Sequence, residues 1–137
     1  MVIHLQTLNL VNFINFNREE MKKTDAYIRR YEGCMTDAVA YYLNLHPENV
    51  PLFVKFGKNW SKKFRNWWKN KGYEVRWDLC KTPPKKGKHI IVGDSLVWKK
   101  YSHMVVYKNG KLAYDPTFPS KWKDNRITHR LLVKKIY

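Results

Sequence analysis

The stretch HMVVYKNGKLAYDP, residues 103–116, decides the fold of this 137-residue chain. Two runs rich in apolar and aromatic residues, 103–107 and 111–114, flank Asn109-Gly110, the dipeptide that most strongly favours a β-hairpin. Asp115-Pro116 follows the second run and is typical of a turn. The stretch therefore predicts two antiparallel strands joined by a short loop.

Upstream of the hairpin, the apolar periodicity is helical. Residues 34–45 carry apolar side chains at helical spacing, and Gly33 precedes them, so a helix is expected to begin at or beside Cys34. In residues 59–71, aromatic side chains recur at i, i+4, i+7 and i+8 opposite lysines and arginines, and Gly72 is expected to end this helix in a left-handed conformation.

The remaining elements read as strands and a loop. Alternating or β-branched runs predict strands at 73–79, 89–92 and 131–136, and prolines and a glycine predict a loop at 82–88. Helices first and strands afterwards indicate an α+β fold, with N-terminal helices packed on an antiparallel sheet. We expect one domain over residues 21–137, and we assign residues 1–20 only as an N-terminal extension.

The composition bounds the compartment and the partners. A net charge of +16 attracts polyanions, nucleic acid among them, but dispersed lysines are also typical of a solvated face. Two cysteines are too few for a disulfide framework, so a reducing, cytoplasmic compartment is the simpler interpretation. No membrane segment is expected.

Cys34 is the candidate nucleophile. A helix N-terminus favours the thiolate, which is the reactive form of a thiol. The backbone N–H of Cys34 would then point toward a carbonyl under attack and supply one donor of an oxyanion hole. The second donor must come from elsewhere, and Tyr27 is the side chain we favour.

A thiol nucleophile needs a base and a group that orients the base, and the hairpin offers His103 and Asp115. With a regular two-residue loop, Asp115 would lie opposite Met104, and His103 would face away from it. With a three-residue loop closed by Gly110, His103 would lie directly opposite Asp115. The triad hypothesis therefore predicts the three-residue loop.

Other interpretations compete for these residues. A lone cysteine is more often a small buried side chain, and a lone histidine is more often a hydrogen-bonded structural residue. The tryptophans of the second helix could stack on nucleic-acid bases, although a helical stripe more often forms core. Trp98 is a candidate wall of a substrate cleft. The Cys and His spacing supports no metal site, and we predict no cofactor.

Two groups of motifs carry a resemblance to a known family. One runs from Gly33-Cys34 through a Val-Pro segment, Val50-Pro51, to Gly72-Tyr73; the other joins a strand, residues 90–93, to the His-hairpin-Asp-Pro element. In this order they resemble a family of small papain-like cysteine hydrolases, NlpC-like proteins found in phages and bacteria. The resemblance covers about Tyr31 to Ser120 of the chain.

The resemblance implies a papain-like fold in which Cys34 is the nucleophile, His103 the general base and acid, and Asp115 the orienting group. It does not imply a substrate, because the wider papain-like group includes peptidases, amidases, deamidases and transglutaminase-like enzymes; we expect a peptide or protein substrate and, for a phage product, the host cytoplasm. Three functions are open at this point: a thiol hydrolase or acyltransferase, a basic nucleic-acid-binding protein on the same scaffold, and a catalytically silent protein that binds a host factor.

Overall fold

Helices precede strands along the part of the chain that the computed structural model describes, residues 33–94, 102–117 and 120–136. This part contains two α-helices and five strands. The helices are α1 (Cys34–Leu43) and α2 (Trp60–Asn70); the strands are β1 (Tyr73–Leu79), β2 (Lys88–Asp94), β3 (Ser102–Lys108), β4 (Lys111–Tyr114) and β5 (Ile127–Lys135). The α+β class is therefore confirmed.

The sheet is antiparallel throughout, with the strand order β1-β5-β2-β3-β4. The last strand begins earlier than its apolar pattern predicts, at Ile127 instead of residue 131. It lies inside the sheet, between β1 and β2, and thereby joins β1 to the rest of the sheet.

Both helices bury the faces that their periodicity predicts. In α1, Met35, Ala38 and Val39 of the predicted apolar face have at most 6% of their surface exposed. In α2, Trp60, Phe64 and Trp68 are buried, and their rings meet edge to face. The aromatic stripe of α2 is thus mainly core, as the periodicity favours.

The connection between the helices is more ordered than its sequence suggests. It contains two 3₁₀ segments, Pro47–Asn49 and Phe53–Asn59, which the sequence did not indicate. Thr36 of α1 donates a hydrogen bond of 2.5 Å to the carbonyl of Pro51 and so fixes this connection to the first turn of the helix.

The two faces of the sheet carry separate apolar clusters. The larger cluster lies under the helices and includes Met104 and Val106 of β3. The smaller one includes Val105 and Tyr107, with Trp122 packed against it. Because side chains alternate along a strand, His103 belongs on the same face as Val105.

The turn of the hairpin differs from the prediction. Lys108 pairs with Lys111, so the loop has two residues, and the predicted three-residue loop is wrong. Asn109 and Gly110 both have positive φ, 52° and 83°, as a type I′ turn requires. Such a turn matches the right-handed twist of the strands, which explains why Asn109-Gly110 forms the tighter loop.

A β-bulge places Asp115 on the face of the sheet that carries His103, although a two-residue loop alone would have placed it on the other face. Tyr107 pairs with Leu112, but Val106 pairs with Tyr114, so Ala113 is an extra residue in β4. Counting on from Tyr114 puts Asp115 opposite Val105, and therefore on the same face as His103 and diagonal to it. The expectation that a two-residue loop would separate the pair was wrong because it assumed a regular hairpin.

Candidate active site

Cys34 is the first residue of α1, and Gly33 is the N-cap. Gly33 contributes no side-chain cap, so the N–H groups of the first turn are not capped by the residue before the helix. The thiol is partly exposed and forms no disulfide. The side chain therefore lies at the positive end of the helix dipole, where no side-chain cap satisfies the N–H groups of the first turn.

His103 and Asp115 meet through a short hydrogen bond. The His103 Nε2 atom lies 2.6 Å from the Asp115 Oδ1 atom. The exposed fractions of the two side chains are only 14% and 4%, so the contact is largely shielded from water. The pair that the sequence predicts is therefore brought together, although by a bulge and not by the loop that we expected.

Cys34 also acts on the His103 ring, because a side-chain interaction with Cys34 and its charge both raise the pKa of that ring. Since Asp115 occupies Nε2, the ring nitrogen left for the thiol is Nδ1. The structure thus brings Asp115 into a hydrogen bond with His103 and places Cys34 close enough to act on the same ring.

Charge around the imidazole strongly favours its protonated form. Burial lowers the pKa of His103, because it penalises the charged ring, but the hydrogen bond to Asp115, the side-chain interaction with Cys34 and the negative charges of both groups outweigh it. The net effect raises the pKa from 6.5 to about 10. At neutral pH the ring is therefore an imidazolium beside the sulfur, which is the charge state that stabilises a thiolate.

Further donors hold Asp115 in place. Burial raises the pKa of this carboxyl, but hydrogen bonds from His103, Ser120 and the Thr117 N–H lower it, with a net decrease. Ser120 Oγ donates to Asp115 Oδ2 at 2.6 Å, and the Thr117 N–H donates to Oδ1 at 2.9 Å. Asp115 therefore stays ionised with both oxygens engaged. Sequence reasoning missed Ser120 and Thr117, although an Asp-Pro-Thr turn is a local signal for the second of them.

An aromatic network lies beside the imidazole. The Trp122 and His103 ring centroids are 6.0 Å apart, and the Trp122 indole N–H donates to the Tyr107 hydroxyl at 2.8 Å. That hydroxyl donates in turn to the Asp124 carboxylate. The network fixes the indole next to His103, and no sequence motif indicated it.

Gly93 makes room for this indole. It pairs with His103 in the sheet, and a Cβ atom at Gly93 would lie 2.6 Å from Trp122 Cη2 and 2.0 Å from the Arg126 carbonyl oxygen. Any larger residue would displace the backbone or the ring. The apolar run at 89–92 predicts the strand, but it does not reveal this constraint.

Two predicted site residues lie outside the described residues: Tyr27, the second oxyanion donor, and Trp98, the cleft wall. Both stay predictions. Cys80 is described; its Sγ atom donates to the Thr82 carbonyl at 3.0 Å, and it packs against the smaller cluster. Unlike Cys34, it follows the end of a strand, and its thiol bonds to a backbone carbonyl.

Comparison with family models, with curated proteins and with solved structures finds no match to this chain. The class of site is therefore defined by its own geometry: a thiol at a helix start, an imidazole and a carboxylate. Neither helix of the described residues has the length and apolar character needed to cross a membrane.

Proposed function

We propose that the chain is a papain-like thiol hydrolase or acyltransferase, with Cys34 as nucleophile, His103 as acid and base, and Asp115 as the orienting group. The observation that carries the proposal is the His103–Asp115 hydrogen bond of 2.6 Å, on a ring whose pKa is also raised by Cys34. Nucleophile, base and orienting group are then neighbours, in the order that covalent acyl transfer requires.

The proposed reaction begins from a thiolate and an imidazolium. The Cys34 sulfur attacks the carbonyl carbon of a peptide or isopeptide bond, and the oxygen takes up the negative charge. The Cys34 N–H stabilises this oxyanion. The His103 imidazolium then gives its proton to the leaving amine as the C–N bond breaks, which leaves a thioester and a neutral imidazole.

Acylation also prepares the second half of the reaction. A thioester sulfur carries no charge, so Cys34 no longer raises the pKa of His103. The neutral imidazole accepts a proton from water, or from an acceptor amine, as that nucleophile attacks the thioester. Collapse of the intermediate releases the product and restores the thiolate and the imidazolium.

Asp115 has an electrostatic and a positional role in this scheme. Its carboxylate accepts from Nε2 and keeps the other ring nitrogen directed at the sulfur. Because Ser120 and Thr117 donate to the carboxylate, it cannot rotate without losing hydrogen bonds. The ring orientation is therefore set before substrate binds.

Alkylation by iodoacetamide at neutral pH tests the proposal, because the chain has a second free cysteine as an internal control. We expect Cys34 to react much faster than Cys80, and this preference to disappear in a His103→Ala variant. Peptide mapping by mass spectrometry assigns the label to each thiol. Slow labelling at equal rates in the wild-type protein would refute the proposal.

A further inference from the structure

The helix α2 and the segment before it carry a concentrated positive surface. Residues 53–72 contain no Asp or Glu, whereas Lys and Arg recur along them, at Lys55, Lys58, Lys62, Lys63, Arg65, Lys69 and Lys71. On α2 itself the lysines and the arginine are exposed, because Trp60, Phe64 and Trp68 occupy the opposite, buried side. This segment therefore contributes only positive charge to the surface.

An open groove of about 410 Å³ borders this surface. Its walls include two aromatic side chains, Phe56, which is 39% exposed, and Trp67, which is half-buried. Pro51 and Leu52 contribute further apolar wall, and Lys55 contributes a basic group. The groove also contains one carboxylate, Glu48, which can accept hydrogen bonds from amino groups.

Positive groups lie next to the aromatic rings as well as along the helix. The Lys63 ammonium is 5.8 Å from the centre of the Phe56 ring, and the Lys71 ammonium is 5.4 Å from the centre of the Trp67 ring. A ligand whose flat ring entered the groove would thus find its attached anionic groups beside these ammonium groups. Aromatic walls and flanking cations are the combination that holds single-stranded nucleic acid.

We propose that the groove between Phe56 and Trp67, together with the basic face of α2, binds single-stranded nucleic acid, with one unpaired base in the groove and the phosphates along the helix. Two alternatives fit less well. A base within a duplex is stacked and cannot enter the groove, and an acidic peptide would use the cations but not the exposed aromatic rings. This surface acts independently of the proposed chemistry at Cys34.

Fluorescence anisotropy with a labelled, mixed-sequence single-stranded DNA of about 20 nucleotides tests the phosphate contacts. We expect Lys62→Gln/Lys69→Gln to weaken binding and to reduce the slope of log affinity against log salt by about 1.4, because each contact to a single strand contributes about 0.7. The matched control is Lys108→Gln/Lys111→Gln, which removes the same charge from the exposed β3–β4 hairpin. Equal losses in the two variants would show that net charge alone drives binding and would overturn the proposal.

A Phe56→Leu variant tests the base contact, because leucine keeps an apolar side chain but removes the flat ring. We expect its affinity for the strand to fall at least about fivefold, with an unchanged thermal transition. Unlabelled single strand should compete better than duplex DNA or poly-glutamate. Equal competition by duplex or by poly-glutamate would contradict the assignment.

A Cys34→Ala variant separates this surface from the proposed enzyme. We expect it to bind the labelled strand as the wild-type protein does, whatever the outcome of the alkylation experiment. Loss of binding in this variant would contradict the independence of the two surfaces. If Cys34→Ala binds the strand unchanged but Cys34 of the wild-type protein is not labelled preferentially, the nucleic-acid proposal is retained and the catalytic one is rejected.

Discussion

Replacing Asp115 by asparagine perturbs the candidate triad through charge while nearly preserving its shape. The pKa of His103 is about 10, compared with 6.5 for an unperturbed ring, and Asp115 contributes both a hydrogen bond and a negative charge to this increase. Asparagine retains an oxygen that accepts from Nε2 but has no charge. An adjacent opposite charge changes a pKa by about 1–3, which corresponds to about 1.4–4 kcal/mol. We therefore expect the pKa of His103 to fall by this amount.

A heteronuclear NMR titration of the imidazole rings measures the change, and a His103→Ala spectrum assigns the signal among the five histidines. Asp78→Asn is the matched control, because Asp78 is an aspartate on β1 that pairs with Arg130 at 3.7 Å. It should leave the pKa of His103 unchanged. The reasoning would be refuted by a wild-type value near 6.5, or by the same value in the wild type and the Asp115→Asn variant.

Three further changes test the register, the packing and the charge of the site. Deletion of Ala113 should remove the bulge but leave Tyr114 opposite Val106 and Asp115 opposite Val105, so that Cys34 stays as reactive to alkylation at neutral pH as it is in Ala113→Gly; slow alkylation of the deletion variant would contradict this register. Gly93→Ala should destabilise the fold by about 1–3 kcal/mol, since the added Cβ would lie 2.6 Å from Trp122. Thermal denaturation measures this loss, and an unchanged transition would be inconsistent with the crowding. Because folding raises the pKa of His103 from 6.5 to about 10, its stabilising contribution should be complete below pH 6.5 and should decline as the pH rises toward 10. Urea denaturation should therefore show a larger difference in the free energy of unfolding between wild type and His103→Ala at pH 6 than at pH 10. Equal differences at the two pH values would argue against this linkage.

Much of the fold follows from local patterns in the sequence. The buried side of α2 follows from its aromatic periodicity, and β1 coincides with the predicted strand at 73–79. Gly72 has a φ of 96°, as expected for a glycine after a helix. These elements are predictable because neighbouring side chains determine them.

The features that were not predicted depend on distant contacts. The bulge at Ala113 turns Tyr114 toward α1, where its ring stacks on Tyr41 with a centroid separation of 4.5 Å. Such a contact joins residues far apart in the chain, so the hairpin sequence alone does not show which residue will be extra. The first part of β5, residues 127–130, was missed for a similar reason, since neighbouring strands on both sides support it.

The candidate site also contains some features that the local sequence predicts and others that depend on the fold. The residue types and chain order of Cys34, His103 and Asp115 could be recognised in the sequence. Their supporting groups could not, because Ser120 and Trp122 reach the site through the fold and not through a motif. The correct pairing of His103 with Asp115 was reached from an incorrect loop, since a bulge and an added loop residue both insert one residue between the strands.

The central claim is that Cys34 is a nucleophile that forms an acyl-enzyme, and an activated ester tests it without knowledge of the natural substrate. Mixing the protein with p-nitrophenyl acetate should give a burst of p-nitrophenol equal to the protein concentration, with the acetyl group located on Cys34 by peptide mapping. The burst should persist in Cys80→Ser and disappear in Cys34→Ala. A burst of the same size in Cys34→Ala, or an acetyl group found on Cys80 or lysines but not on Cys34, would contradict the account.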